Sequence, residues 1–137
     1  MELFVSLEDL VSESHIYRKF KKLLNFDDLI RFHLRDIPED VTSGRDGYGV
    51  SKLFHSLFLQ YAEDLSDREL ERYLAENNSG KWFCGYRLQD KTPDHTVFSK
   101  FRKKVGTKRL SRMFESLRLL LKSQGYMGEV FTFVDAS

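Results

Sequence analysis

The 137 residues include one cysteine, two prolines and no apolar run approaching the roughly 20 residues that a membrane-spanning helix needs. A lone Cys84 excludes an intramolecular disulfide, and His15, His33, His55 and His95 stand singly, without zinc-ligand spacing. Cys84 therefore reads as a packed apolar residue. With breaks only at Pro38 and Pro93, long stretches are free to run as helix. The opening residues MELFVSLEDLVSES carry acids where a secretory signal needs bases, so retention in the cytoplasm is expected. Phosphate-loop spacing is also missing. The three glycines of residues 38–49, PEDVTSGRDGYG, neither follow a strand nor lead into G-K-[ST], and with Pro38 they mark a mobile connector.

At 41% hydrophobic and 31% charged, the chain has the composition of one soluble globular domain. Its net charge of +1 conceals a separation. Residues 95–122 hold nine Lys and Arg against a single acid, Glu115, whereas the remainder holds 13 basic and 20 acidic residues. Such a division favours a polyanionic partner on one side of the molecule.

Helical periodicity is strongest in residues 50–77, VSKLFHSLFLQYAEDLSDRELERYLAEN. Val50, Leu53, Phe54, Leu57, Phe58 and Tyr61 recur with helical spacing and form one apolar stripe. A second helix starts at Ser66, where S-x-x-E spacing to Glu69 makes a capping box and Leu65 and Leu70 are placed as a hydrophobic staple. The spacing turns Leu70, Tyr73 and Leu74 inward and leaves Asp67, Arg68, Glu71 and Arg72 on the solvated side. Ser6 and Asp9, with Val5 and Leu10, repeat this start signal near the N-terminus. A helix over 14–24 follows, with Ile16, Phe20, Leu23 and Leu24 inward and Arg18, Lys19, Lys21 and Lys22 outward, and then another over 27–35. Trp82, Phe83 and Cys84 form an aromatic knot expected under the turn between helices.

Asp94 is placed to cap a helix from His95 to Val105. Val97, Phe98, Phe101 and Val105 face inward, and Lys100, Lys103 and Lys104 share the other face with Arg102 beside them. Lys and Arg neutralise phosphates, and Thr96 and Ser99 can donate hydrogen bonds to backbone oxygens or base edges, so this helix is the leading DNA-contact candidate; the competing reading is a lysine-rich solvated face. Thr107 is placed to cap a last helix to Gln124, with Leu110, Met113, Phe114, Leu117, Leu120 and Leu121 inward and Gly125 ending it. Lys108, Arg109 and Arg112 extend the candidate basic surface, and Arg118 either extends or solvates it. Beyond it, Val130 to Val134 reads as a centrally buried strand. No second strand is evident to pair with it, so either another segment covers it or its sheet is missing, and the missing sheet is favoured.

The stretch LFLQYAEDLSDRELERYLAEN resembles the N-terminal domain of DDE-type bacterial insertion-sequence transposases, the InsH-like group, in which a leucine-rich helix leads into L-S-D-R-E-L. Residues 93–102, PDHTVFSKFR, are similar to the P-D-x-S-T-x-x-x-F-R segment of that family, with His95 and Thr96 replacing the usual Ser-Thr pair. The ending V-D-A-S resembles the first strand of the family's RNase H-like catalytic domain. The fold expected is mainly α, a multi-helix domain over 1–128 containing a helix-turn-helix-like pair, followed over 129–137 by one β-strand that would begin a truncated catalytic domain.

The resemblance implies DNA transposition, with double-stranded DNA at the terminal inverted repeats as partner and a bacterial, nucleoid-associated location. It implies Asp135 as the first catalytic and metal-binding carboxylate, effective only in a completed DDE site with Mg²⁺, because the second Asp and the Glu lie outside these 137 residues. Alone the chain should bind no cofactor and catalyse nothing. Its partners would be a catalytic-domain continuation, full-length transposase or further copies in a homo-oligomer, with no membrane. Alternative roles are a standalone inhibitor of transposition, an inactive fragment, or an interaction module that adds its strand to a partner's sheet.

Overall fold

The computed structural model describes residues 5–38 and 48–125. They form eight helices: α1 (Leu7–Leu10), α2 (Ile16–Leu23), α3 (Phe26–His33), α4 (Val50–Glu63), α5 (Asp67–Glu76), α6 (Asn78–Cys84), α7 (His95–Val105) and α8 (Thr107–Ser123). No strand occurs among the described residues, which agrees with the mainly helical expectation. The expected strand at Val130 to Val134, Asp135, and residues 39–47 of the connector lie outside them.

Helix α4 lies at the centre, against α3, α5, α6 and α7. Its apolar stripe is buried as the spacing predicts, except that Tyr61 is only half-buried; Leu59, His55 and Ser56, which lie off the stripe, are buried too. The helix is enclosed on more than one face. Around it the aromatic rings meet largely edge to face, Phe58 lying 5.2 Å from Phe26 and 5.8 Å from Phe20, with Phe83 5.4 Å from Phe26. Each fully buried Phe contributes about 1.5–3 kcal/mol by leaving water.

The turn into α5 is set locally. Asp64 adopts the left-handed conformation (φ 56°) that Asp tolerates better than most residues, and its N–H donates to the Gln60 carbonyl. Ser66 then caps α5 reciprocally: its hydroxyl accepts from the Glu69 N–H at 3.1 Å, and the Glu69 carboxylate accepts from the Ser66 N–H at 2.9 Å. The reciprocal cap is readable from S-D-R-E alone.

Several local expectations are corrected by packing. The aromatic knot of Trp82, Phe83 and Cys84 belongs to a helix over residues 78–84, which the Asn77 side chain starts by accepting from the Gly80 N–H at 2.7 Å. Gly80 itself is required there, since a Cβ would fall 2.8 Å from the Tyr73 ring of α5. Arg18 does not point to solvent: its guanidinium donates to the carbonyls of Ser12, Val11 and Glu8 and to the Glu8 carboxylate, and it lies 4.6 Å over the Trp82 ring. Tyr17, unassigned by periodicity, is core, and its hydroxyl donates to Glu63 at 2.9 Å. At α1 the Ser6–Asp9 box forms, but Val5 and Leu10 stay exposed, so the staple does not close. Gly106, not Thr107, is the N-cap of α8, and Leu120 stays 40% exposed because the inward stripe is already filled by Leu117 and Leu121.

Buried His55 is held neutral. Its Nδ1 donates to the Ser51 carbonyl at 2.7 Å, its ring lies 4.4 Å from that of Phe26, and burial pushes its pKa from 6.5 down to about 4. A base whose folded pKa is depressed gives stability that is complete above pH 6.5 and is lost as pH falls towards 4. Urea melts should therefore show His55→Asn losing about 3 kcal/mol less stability than the parent across that window. Parallel pH profiles for the two proteins would contradict this assignment.

Candidate nucleic-acid interface

Helix α7 begins where the sequence places it. The Asp94 carboxylate accepts from the N–H groups of Thr96 (2.8 Å) and Val97 (3.3 Å) and from the Thr96 hydroxyl, and these bonds hold it below the usual carboxylate range. Phe98, Phe101 and Val105 are buried, with Val97 partly so. The apolar face thus fixes the rotation of the helix, and Thr96, Lys100, Lys103 and Lys104 emerge exposed.

Two polar junctions hold α7 antiparallel to α5. At one end the Arg102 guanidinium donates to Asp67 (2.5 and 3.2 Å) and to the Gln60 side-chain carbonyl (2.7 Å), while the Gln60 amide donates to the same Asp67 (2.8 Å). At the other end Glu71 accepts from the His95 N–H at 2.7 Å and lies 2.9 Å from its Nδ1. Arg102 holds Asp67, and His95 holds Glu71, below the ordinary carboxylate range. Asp67 and Glu71 are therefore half-buried contacts to α7, not freely solvated residues.

Seven of the sequence-selected residues are basic, and the fold divides them by task. Arg102 is taken up by Asp67 and Gln60. Arg109 donates to the carbonyls of Val105 (2.9 Å) and His33 (3.0 Å) and to Asp36 (2.7 Å), tying α8 to the end of α3. Lys100, Lys103, Lys104, Lys108 and Arg112 remain exposed and form no ion pair among the described residues. Ser99 is half-buried, the Thr96 hydroxyl is committed to its own cap, and Arg118 pairs with Glu115. Asp135 lies outside the described residues.

The α4–α5 pair has the chain order of a helix-turn-helix. Its second helix, however, carries Asp67, Glu69, Glu71 and Glu76 against Arg68 and Arg72, a net acidic element ill suited to lie along phosphates. Cationic surface is supplied instead by α7 and the first half of α8. Pairing α5 acids with α7 bases required knowing that these helices are neighbours; the sequence offered only an acidic helix followed by a basic one.

Among the described residues, the one group of three metal-capable side chains is Glu71, Asp94 and His95, with donor atoms within 4.8 Å of one another. Both acids are spent on N–H groups at the start of α7, and a histidine is a poor ligand for Mg²⁺, which prefers oxygen. This group does not fit the magnesium chemistry implied by the resemblance.

Arg102→Ala should destabilise the chain by about 1–3 kcal/mol in urea, because Asp67 and Gln60 lose a charged donor. Asp67, whose folded pKa is lowered by Arg102, gives stability present above its ordinary pKa and lost as pH falls through the folded value. The variant's acid-side loss should accordingly be shallower. Equal stability of the two proteins at neutral pH would remove Arg102 as the lock between α7 and α5.

No curated protein and no solved structure matches the chain. The sequence model of the family described as Transposase domain (DUF772) does match, over residues 5–104, a span running from just before α1 to the last residues of α7. With nearly three quarters of its length so matched, the chain belongs to this transposase domain family.

Proposed function

We propose that the chain is the DNA-binding N-terminal part of an insertion-sequence transposase of the DDE, InsH-like type, and that the cationic face of α7 and α8 holds the phosphate backbone of the element's terminal inverted repeats. The observation that carries this reading is the division of labour among the basic residues. Arg102 and Arg109 are consumed in fixing α7 and α8, while Lys100, Lys103, Lys104, Lys108 and Arg112 remain exposed without an ion pair to any described acid. A rigid backbone that presents unpaired cations loses little conformational freedom on meeting a polyanion. Contacts of this kind position a protein on DNA, and their affinity falls with salt as condensed counterions are released.

Charge reversal at Lys100, Lys103 and Lys104 should weaken binding to an inverted-repeat duplex about tenfold or more and flatten the salt dependence by roughly one unit of log–log slope per lysine. An affinity and salt slope equal to the parent's would sink the assignment of this face.

Asp135 is the residue proposed to join the catalytic site, as the first hard-oxygen ligand for Mg²⁺ in a product that also carries the second Asp and the Glu. A single carboxylate cannot bind a metal pair, so these 137 residues with Mg²⁺ should nick no DNA. Strand cleavage by the purified chain that disappears in Asp135→Ala would overturn that expectation.

A further inference from the structure

A second cationic site lies away from α7. The end of α2 and the start of α3 form one wall of a cleft of about 630 Å³; the first turns of α4 and the end of α6 form the other. Lys21, Lys22 and Lys52 line it against one acid, Asp27. The Lys21 ammonium stands 5.1 Å over the Trp82 ring and 5.8 Å over Phe83, and that of Lys52 5.8 Å over Tyr86. No one of the three lysines forms an ion pair among the described residues. Three cations along one cleft, two of them over aromatic rings and none in an ion pair with a described residue, attract an anion.

The floor of the cleft narrows the chemistry. Helix α4 starts here at Gly49, which has no side chain to cap it, and Ser51 brings a hydroxyl into the lining. One turn further on the same wall is His55, 8% exposed. Its Nδ1 is committed to the Ser51 carbonyl, so its proton lies there and Nε2 is left as an acceptor with no hydrogen bond to any described residue. A polar atom on a buried ring with no partner among the described residues is uncommon and leaves an acceptor open to water or to a ligand that enters the cleft. The ligand that answers both features is an anion with its own O–H donor. Inorganic phosphate keeps at least one proton at neutral pH, and a terminal phosphate monoester keeps one below about pH 6, whereas an internal phosphodiester has no proton to give.

We propose that the cleft between α2–α3 and α4–α6 binds a terminal phosphate group, either free or at the 5′ end of a nucleic-acid strand, its oxygens on Lys21, Lys22, Lys52 and Ser51 and its hydroxyl donating to His55 Nε2. The site is separate in residues from the α7–α8 face and does not depend on it.

The test uses the full chain and three probes: inorganic phosphate, a 5′-phosphorylated duplex, and the same duplex with a 5′-hydroxyl. Inorganic phosphate should shift the Ser51 and Lys52 amide resonances saturably, and K21Q/K22Q/K52Q should lose this response while its circular dichroism is unchanged. Tighter binding of the phosphorylated duplex by about tenfold, abolished in the lysine variant but retained as a ratio after charge reversal on α7, identifies a strand end as the source. Saturable binding of inorganic phosphate with no preference between duplexes supports the site with a free phosphate as its ligand. The absence of any saturable phosphate response, or a response undiminished in the lysine variant, overturns the proposal. If the parent binds neither duplex yet responds to inorganic phosphate through these lysines, the DNA-binding reading fails while the cleft stands.

Discussion

Enclosure of α4 is the constraint on which the rest of the structure depends. Leu53, Phe54, Phe58 and Leu59 have no exposed surface, and the residues between them on the helix are nearly as deep. A helix with so little polar face cannot lie at a surface, so other elements must cover it from several directions. Helices α3, α5, α6 and α7 do so, and α8 adds Phe114, whose ring lies 5.4 Å from Phe54 and 5.2 Å from Tyr61. Because these rings interlock, each surrounding helix has one permitted rotation, and its polar side chains are directed by what its apolar side chains must bury.

That coupling explains how surface chemistry is built. On α7, burial of Phe98 and Phe101 leaves Lys100 and Lys103 outside, while Arg102, at the edge of the buried face, is brought against Asp67 and Gln60. The same logic on α8 buries Leu110 and Met113, draws Arg109 against His33 and Asp36, and leaves Lys108 and Arg112 free of ion pairs among the described residues. Neighbouring arginines and lysines of equal formal charge thereby acquire opposite tasks, one structural and the other available to a polyanion. Arginine suits the first, since its planar fork can satisfy a carboxylate and a carbonyl together.

Transposase membership and the helical framework were accessible from wording and periodicity: the L-S-D-R-E-L start of α5, the P-D cap of α7 and the apolar spacing of α4 and α8 were all readable in one dimension. The sites were less accessible. Arg18, one of four successive-looking basic residues in RKFKK, is a clamp because Glu8 and Trp82 are folded against it. The α2–α4 cleft gathers Lys21, Lys22, Lys52 and His55 from two segments that no short motif joins. Asn, Ser and Gly at 78–80 are weak helix formers, and the helix forms there through the Asn77 cap and the close approach of Gly80 to Tyr73.

The sequence by itself determined the properties that depend on near neighbours. These are where α5 and α7 start, most of the inward faces of α4, α7 and α8, the exclusion of an intramolecular disulfide, and the basic character of residues 95–122. The first two follow from spacing within one or two turns, and the last two from composition. Only the tertiary structure decided which charges are spent and which remain, because ion pairs such as Asp67–Arg102 and Asp36–Arg109 join residues far apart in the chain. Whether a cation is a lock or a contact depends on the partner that packing brings within about 3 Å of it, and that partner is not encoded beside it.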